Sequence, residues 1–261
     1  MTKMRLDKLL LEKGLVETRA KARGLIMAGR VRVAGRTVDK AGEHVGADAD
    51  VDITAGMHFV SRGGLKLESA LEGMRVDVTG LVCADVGAST GGFTDCMLQR
   101  GAKRVYAIDV GKGVLHWKLR SHPRVVVMEK TNARYLHRLP ERVGLVTIDA
   151  SFISLRLLLP AALGWLQPGS GRVLALIKPQ FEAGRAQVGK GGVVRAVRVH
   201  RQVLLDVLAF ALKMGLRPGG LTRAPLRGAA RNVEFLALLT QSDRGCSIEE
   251  LVAEVAPEAS E

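Results

Sequence analysis

The chain is short of cysteine, aromatic residues and acid, and each shortage narrows what it can be. Its three cysteines, Cys83, Cys96 and Cys246, are odd in number and far apart. That pattern excludes a disulfide framework and a paired metal-ligand spacing, and points to free thiols in a reducing compartment. Aromatics make up 4% of the residues, which disfavours a broad base-stacking platform and favours recognition of phosphate and shape. No apolar run reaches the roughly twenty residues of a membrane helix. Charged residues follow the basic opening Met1-Thr2-Lys3-Met4-Arg5, so no secretory signal is legible there. The chain reads as cytoplasmic, with no membrane partner and no obligate protein partner evident. Acids number 26 against 39 lysines and arginines, a formal charge of +13 that favours a polyanion such as nucleic acid. With 261 residues, 47% of them hydrophobic, there is room for one α/β domain and a small accessory module.

What is present is most concentrated between Leu81 and Thr94. An apolar run, Leu81-Val82-Cys83-Ala84, meets the acid Asp85, and Gly87-Ala88-Ser89-Thr90-Gly91-Gly92-Phe93-Thr94 is a small-residue turn opening a helical pattern. A strand, turn and helix of this kind bring a nucleotide-like ligand to the helix end, because small residues let backbone N–H groups approach it. Asp85 is expected at the strand end, within reach of the ligand's polar groups. About twenty residues on, Arg104–Ile108 forms a second apolar strand ending in Asp109, an acid suited to ribose hydroxyls. The glycine spacing is not a dinucleotide fingerprint, and no Gly-Lys-Ser/Thr grips phosphate. The segment resembles the S-adenosylmethionine site of a Rossmann-like class I methyltransferase. That resemblance makes Asp85, Gly87, Ser89, Gly91, Gly92, Phe93 and Asp109 the expected cofactor contacts, with Asn132 placed to reach the adenine.

Residues 1–59 read as a separate small α+β module. Leu6, Leu9, Leu10 and Leu15, then Ala22, Leu25 and Ile26, recur at helical spacing. Gly14 breaks the first helix, Thr18 caps the second, and Gly29 ends it. Val31–Val33 and Thr37–Val38 form a hairpin, and Asp39 through Ile53 supplies closing strands and loops. The first 36 residues hold ten bases against three acids, a net +7. This order, with Arg5-Leu6-Asp7, Thr18-Arg19-Ala20 and Gly29-Arg30-Val31-Arg32-Val33, resembles the S4-like RNA-binding domain. By that resemblance Arg5, Arg19, Lys21, Arg23, Arg30 and Arg32 are the RNA contacts. The alternative for any one of them is a solvated helix face. The junction falls near Gly56–Val60.

Residues 60–242 alternate strands and helices, which implies a parallel sheet covered on both faces. Strands are expected at Val125–Met128, Leu145–Ile148 and Val173–Ile177, helices at Leu155–Leu166 and Val197–Met214, and a late strand at Val233–Leu239, which the methyltransferase resemblance implies is antiparallel near the sheet edge. Residues 243–261 read as a peripheral tail. Four polar residues lie at or beside strand ends, where such sheets carry function: Lys66, Asp149, Lys178 and Glu234. Their segments and order resemble the Lys-Asp-Lys-Glu set of FtsJ-type ribose 2′-O-methyltransferases, and with the S4-like front end the match narrows to the TlyA/haemolysin A family of rRNA methyltransferases. The family implies S-adenosylmethionine as cofactor, no metal, and methyl transfer to a ribose 2′-hydroxyl, in cytidine, of RNA in one or both ribosomal subunits. It makes Lys178 the group at the attacking oxygen, held by Asp149, with Lys66 and Glu234 completing the charge network.

Other readings leave marks that can be sought. Base N-methyltransferases with an Asn/Asp-Pro-Pro-aromatic motif are disfavoured, because Asp149-Ala150-Ser151-Phe152 has no prolines. His137-Arg138-Leu139-Pro140 contains no Asp to act as a pseudouridine synthase nucleophile. A membrane-lytic protein should show insertion segments. A non-catalytic ribosome-assembly factor would not need the cofactor turn. The glycine-rich, basic segment Glu182–Arg195 reads as a mobile substrate-side loop or a plain surface loop.

Overall fold

A computed structural model of the chain describes residues 3–27, 30–38, 40–53, 58–226, 232–242 and 246–257. The chain divides into two compact units, Met1–His58 and Phe59–Glu261.

In the first unit β1 (Lys3–Arg5) runs into α1 (Leu6–Glu12), followed by α2 (Arg19–Met27). The hairpin β2 (Val31–Val33) and β3 (Arg36–Val38) comes next, then β4 (His44–Gly46) and β5 (Val51–Ile53). The apolar positions form one face: Leu6, Leu9, Leu10, Ala22 and Ile26 are all buried. Thr18 caps α2, its Oγ1 accepting the Lys21 N–H at 3.1 Å. Gly14 sits at φ +68°, and beyond that turn Leu15 is exposed while Val16 is buried, so the expected core position shifts by one. Gly29 and the first two residues of the expected junction, Gly56 and Met57, lie outside the described residues. β1 pairs antiparallel with β4, and β5 joins β2 on the edge opposite β3.

The second unit opens with α3 (Gly63–Gly73). Its parallel strands are β6 (Val82–Val86), β7 (Arg104–Ile108), β8 (Val125–Met128), β9 (Leu145–Ile148) and β10 (Arg172–Ile177). Between and after them come α4 (Gly92–Gln99), α5 (Trp117–Arg120), α6 (Leu155–Trp165), α7 (Pro179–Glu182) and α8 (Val197–Lys213). β11 (Arg217–Arg223), β12 (Phe235–Thr240) and α9 (Ile248–Val255) complete it. The sheet order is β11-β12-β10-β9-β6-β7-β8, a Rossmann-like α/β arrangement with β12 antiparallel between β10 and β11. Chain order reverses at β6, so the crevice that takes ligands in such sheets opens beyond the carboxyl ends of β6 and β9. Both of those strands are buried along their whole length, as apolar runs covered on two faces must be.

Two elements depart from expectation. β11 is an edge strand that Arg217-Pro218-Gly219-Gly220 conceals, since proline and glycine are poor strand residues; a register shift between Pro218 and Gly220 accommodates them. The expected peripheral tail contains α9, which packs on α8 and β11 and buries Leu251, Val252 and Ala256.

Candidate active site

The turn after β6 is shaped by close approach. Gly87 has φ +80°, and a Cβ there would lie 2.6 Å from the Asp149 carbonyl oxygen, so only glycine fits. Ser89 donates its backbone N–H to Asp109 Oδ2 at 2.8 Å, and Gly111 donates to Oδ1 at 2.7 Å. These bonds fix the Asp109 carboxylate at the end of β7. It lines a cleft of about 480 Å³ together with Gly87, Ser89, Asn132 and Asp149. Asn132 Oδ1 accepts the Arg134 N–H at 3.0 Å, which anchors the wall opposite the turn. A second cleft of about 440 Å³ adjoins the first and is lined by Gly92 and Phe93 at the head of α4. Phe93 is otherwise part of the core. Gly87, Ser89, Asp149, Ser151 and Phe152 line both clefts.

Two expected cofactor contacts line neither cleft, and two more, Gly92 and Phe93, line only the cleft without Asp109. Gly91 is buried, and a Cβ on it would strike Leu119 Cδ1 at 2.2 Å and Leu115 Cδ1 at 2.8 Å; it serves packing and lines neither cleft. Asp85 is fully buried and also lines neither. Strand alternation puts it on the Cys83 face of β6, beneath α4, and not at the open strand end. Its Oδ2 accepts from Thr94 Oγ1 at 2.6 Å and its Oδ1 from Thr147 Oγ1 at 3.1 Å, tying α4 and β9 to β6 under the turn.

Burial pushes the Asp85 carboxyl from 3.8 up to about 7. The stability linked to this group is therefore full below pH 3.8, drains as pH rises, and is lost above about 7, because the folded state keeps a proton that the unfolded chain has released. Asp85→Asn should flatten the fall in urea midpoint over that range and add up to about 4 kcal/mol to the unit at pH 8. Parallel pH profiles for the two proteins would remove Asp85 as the cause.

Lys66 on α3, Asp149 and Lys178 just after β9 and β10, and Glu234 just before β12 converge on the 440 Å³ cleft, which all of them line. Lys178 Nζ lies 2.6 Å from Asp149 Oδ1 and donates to Ser151 Oγ at 3.0 Å. Lys66 Nζ lies 2.5 Å from Glu234 Oε2 across 168 residues of sequence. Lys178 and Glu234 are buried, with 8% and 3% exposure, and buried charges persist when paired. Glu234 precedes β12, and β11 covers that strand, so the glutamate is no outward residue of an edge strand. Two ion pairs thus line the 440 Å³ cleft, and one of their members, Asp149, also lines the other.

This constellation has counterparts. The FtsJ-like methyltransferase family matches residues 59–241, and the S4 domain family matches residues 4–51. The chain belongs to the FtsJ-like methyltransferase family. Within it the chain falls in the S4-fronted TlyA/haemolysin A group. YqxC of Bacillus subtilis, named as an rRNA methyltransferase, is 48% identical over 97% of this chain and 91% of its own. The 16S/23S rRNA (cytidine-2′-O)-methyltransferase TlyA of Mycobacterium tuberculosis is 44% identical over 93% of this chain and 92% of its own. A solved Streptococcus thermophilus structure carrying a hemolysin name has a TM-score of 0.74 at 45% identity, covering 97% of this chain and 96% of that one.

The FtsJ-like unit also presents residues that the sequence reading passed over. Phe152 is 91% exposed, adopts φ +63° and stands with its ring 5.0 Å from that of Phe181, both lining the 440 Å³ cleft. An aromatic three residues after Asp149 was the available signal. Glu182 accepts from Ser154 Oγ at 2.6 Å and the Leu155 N–H at 2.7 Å, tying the segment after Lys178 to the start of α6; burial raises its carboxyl above the usual range. Asn232 holds the Glu182–Arg195 segment from the Glu234 side. It accepts the Val194 N–H at 3.0 Å and donates to the Gly192 carbonyl at 2.9 Å.

In the S4 unit Arg5 ends β1, while Arg19, Lys21 and Arg23 lie on α2. Arg30 precedes β2, and Arg32 is exposed within it. Lys21 pairs with Glu17 at 3.0 Å on the surface. Arg5, Arg19 and Arg23 converge on the buried Asp7.

Proposed function

We propose that the chain transfers the methyl group of S-adenosylmethionine to a ribose 2′-hydroxyl of ribosomal RNA, in a cytidine, and that the S4 unit grips the RNA. The observation that carries this reading is the pair of adjoining clefts, with both ion pairs lining one of them and Asp149 lining both. One cleft has the ribose-type acid Asp109 and a turn that admits only glycine at position 87; the other has Lys178, Asp149, Lys66 and Glu234. The cytidine-2′-O activity printed for the Mycobacterium relative supports the substrate class.

The cofactor's sulfonium supplies an activated methyl group when bound. Asp109 would hold its ribose hydroxyls and Asn132 its adenine, with Gly87 and Ser89 giving it room along the backbone. Catalysis by the chain is then positioning and charge control. Lys178 Nζ meets the attacking hydroxyl, stabilises the charge that grows on its oxygen and, in its deprotonated form, takes its proton. Asp149 and Ser151 hold the lysine at that point. Lys66 and Glu234, lining the same cleft, orient the hydroxyl. Phe152 offers an open ring face to the target base, and base stacking on such a ring is worth about 1–3 kcal/mol. Nothing observed favours lysis: among the described residues no helix is long and apolar enough to cross a membrane.

The deciding experiment is transfer of tritiated methyl from S-adenosylmethionine to purified unmodified ribosomal subunits, followed by nucleoside analysis. A 2′-O-methylcytidine product is the expected result. No incorporation into either subunit, with cofactor binding intact, would sink the proposal.

A further inference from the structure

Asp7 is a charged residue set in an apolar core. Its side chain is fully buried at the start of α1, beside Leu6 and Leu10 in the apolar core of the S4 unit. An isolated carboxylate there would carry a heavy desolvation cost. Three guanidiniums from two other elements compensate it. Arg5, at the end of β1, forms a two-pronged bond, Nε to Oδ1 at 3.0 Å and Nη2 to Oδ2 at 3.1 Å. Arg19 Nη2 donates to Oδ2 at 2.9 Å from α2. One turn later Arg23 Nε stands 3.6 Å from the same oxygen. Arg5 first, and then Arg19, hold the carboxyl well below the usual carboxylate range against its burial.

The compensation is lopsided. One carboxylate neutralises one of three positive charges, and the arginine side chains remain 38%, 46% and 59% exposed. Each guanidinium has five N–H donors in a planar fork, so edges not turned to Asp7 stay open to solvent. Free arginines on a surface would repel one another and sample many rotamers, losing that freedom on binding. A shared buried anion removes both penalties before any ligand arrives.

We propose that Asp7 is a positioning residue for RNA recognition, gathering Arg5, Arg19 and Arg23 into one preorganised clamp for neighbouring backbone phosphates. The inference rests on the RNA-binding reading of the S4 unit and adds a sign that simple electrostatics reverses. Removing a negative charge from a nucleic-acid-binding surface ordinarily tightens binding. Removing Asp7 loosens it, because the amide of Asp7→Asn cannot hold three cations together.

The test uses the full chain and filter binding to unmodified ribosomal subunits across a salt series. Asp7→Asn is expected to weaken binding about tenfold or more and to lower the salt slope by one to two phosphate contacts, with cofactor binding and the circular dichroism spectrum preserved. Equal or tighter binding by a folded Asp7→Asn protein overturns the proposal. Should that variant unfold the S4 unit, Arg19→Lys decides instead, since it keeps the charge and leaves the core alone. A carboxylate-held clamp loses about fivefold in affinity with it, because a lysine has no planar fork to satisfy Asp7 and a phosphate together. Binding within twofold of wild type overturns the clamp. If the wild-type chain itself has no affinity for the subunits, the RNA-binding reading fails first and the clamp with it; if the wild type binds and only the Asp7 and Arg19 variants behave as wild type, the clamp alone falls.

Discussion

Lys178→Ala should reduce single-turnover methyl transfer by about a thousandfold while RNA affinity stays within twofold of wild type. The size follows from what is removed. Lys178 is the buried cation of the pair with Asp149 and also donates to Ser151, so its loss deletes the charge nearest the proposed attacking oxygen and leaves Asp149 uncompensated. The arginines proposed to grip the RNA lie on a separate unit, which is why binding should survive. Lys178→Arg separates charge from proton transfer. It keeps the positive charge but cannot deprotonate, so it should recover little of the rate. A Lys178→Ala protein working at more than a tenth of the wild-type rate would strip Lys178 of its assigned role.

The second large effect belongs to the S4 unit. Arg19→Glu combined with Arg23→Glu changes the local charge by four and should weaken binding to ribosomal subunits by about two to three orders of magnitude at physiological salt. The single-turnover rate at saturating RNA should be little altered. Asp7 shapes the choice of control, since the double reversal takes two of its three partners and sets new carboxylates beside it. Arg19→Gln with Arg23→Gln avoids that repulsion and should give an intermediate loss. Undiminished binding by the charge-reversed protein, with its spectrum intact, would discard the S4 unit as the RNA grip.

Most strands of the second unit were legible because they are short apolar runs bounded by turn residues; the tetrad was legible through its resemblance to the FtsJ-type set, since only Asp149 and Lys178 close such runs. What stayed hidden has physical causes. Asp85 looks the same in sequence whether it reaches into a crevice or turns beneath a helix; the face is settled by one step of strand alternation and by Thr94 and Thr147 waiting as donors. Gly91 shares its small size with Gly87, yet leucines crowd one and the Asp149 carbonyl just after β9 crowds the other. β11 is held by its neighbour β12 and not by its own residues. α9 was obscured by the acids of its solvent face, although Leu251 and Val252 lie inside. The arginines of the S4 unit were visible as charge, but the buried Asp7 that gathers them reads as a routine acid in a helix.

Position 87 has a consequence for anyone reading inactivating variants of this enzyme. Its backbone lies so near the Asp149 carbonyl that any added side chain must push the turn and the end of β9 apart. A Gly87→Ala protein would then lose cofactor affinity and chemical rate together, from a single displacement. Screens that sort defects into binding and turnover would file it under whichever was measured, and neither label would describe the lesion. The turn also resists retuning toward another cofactor by piecemeal substitution, since a change made for one cleft is transmitted to the other through the wall they share.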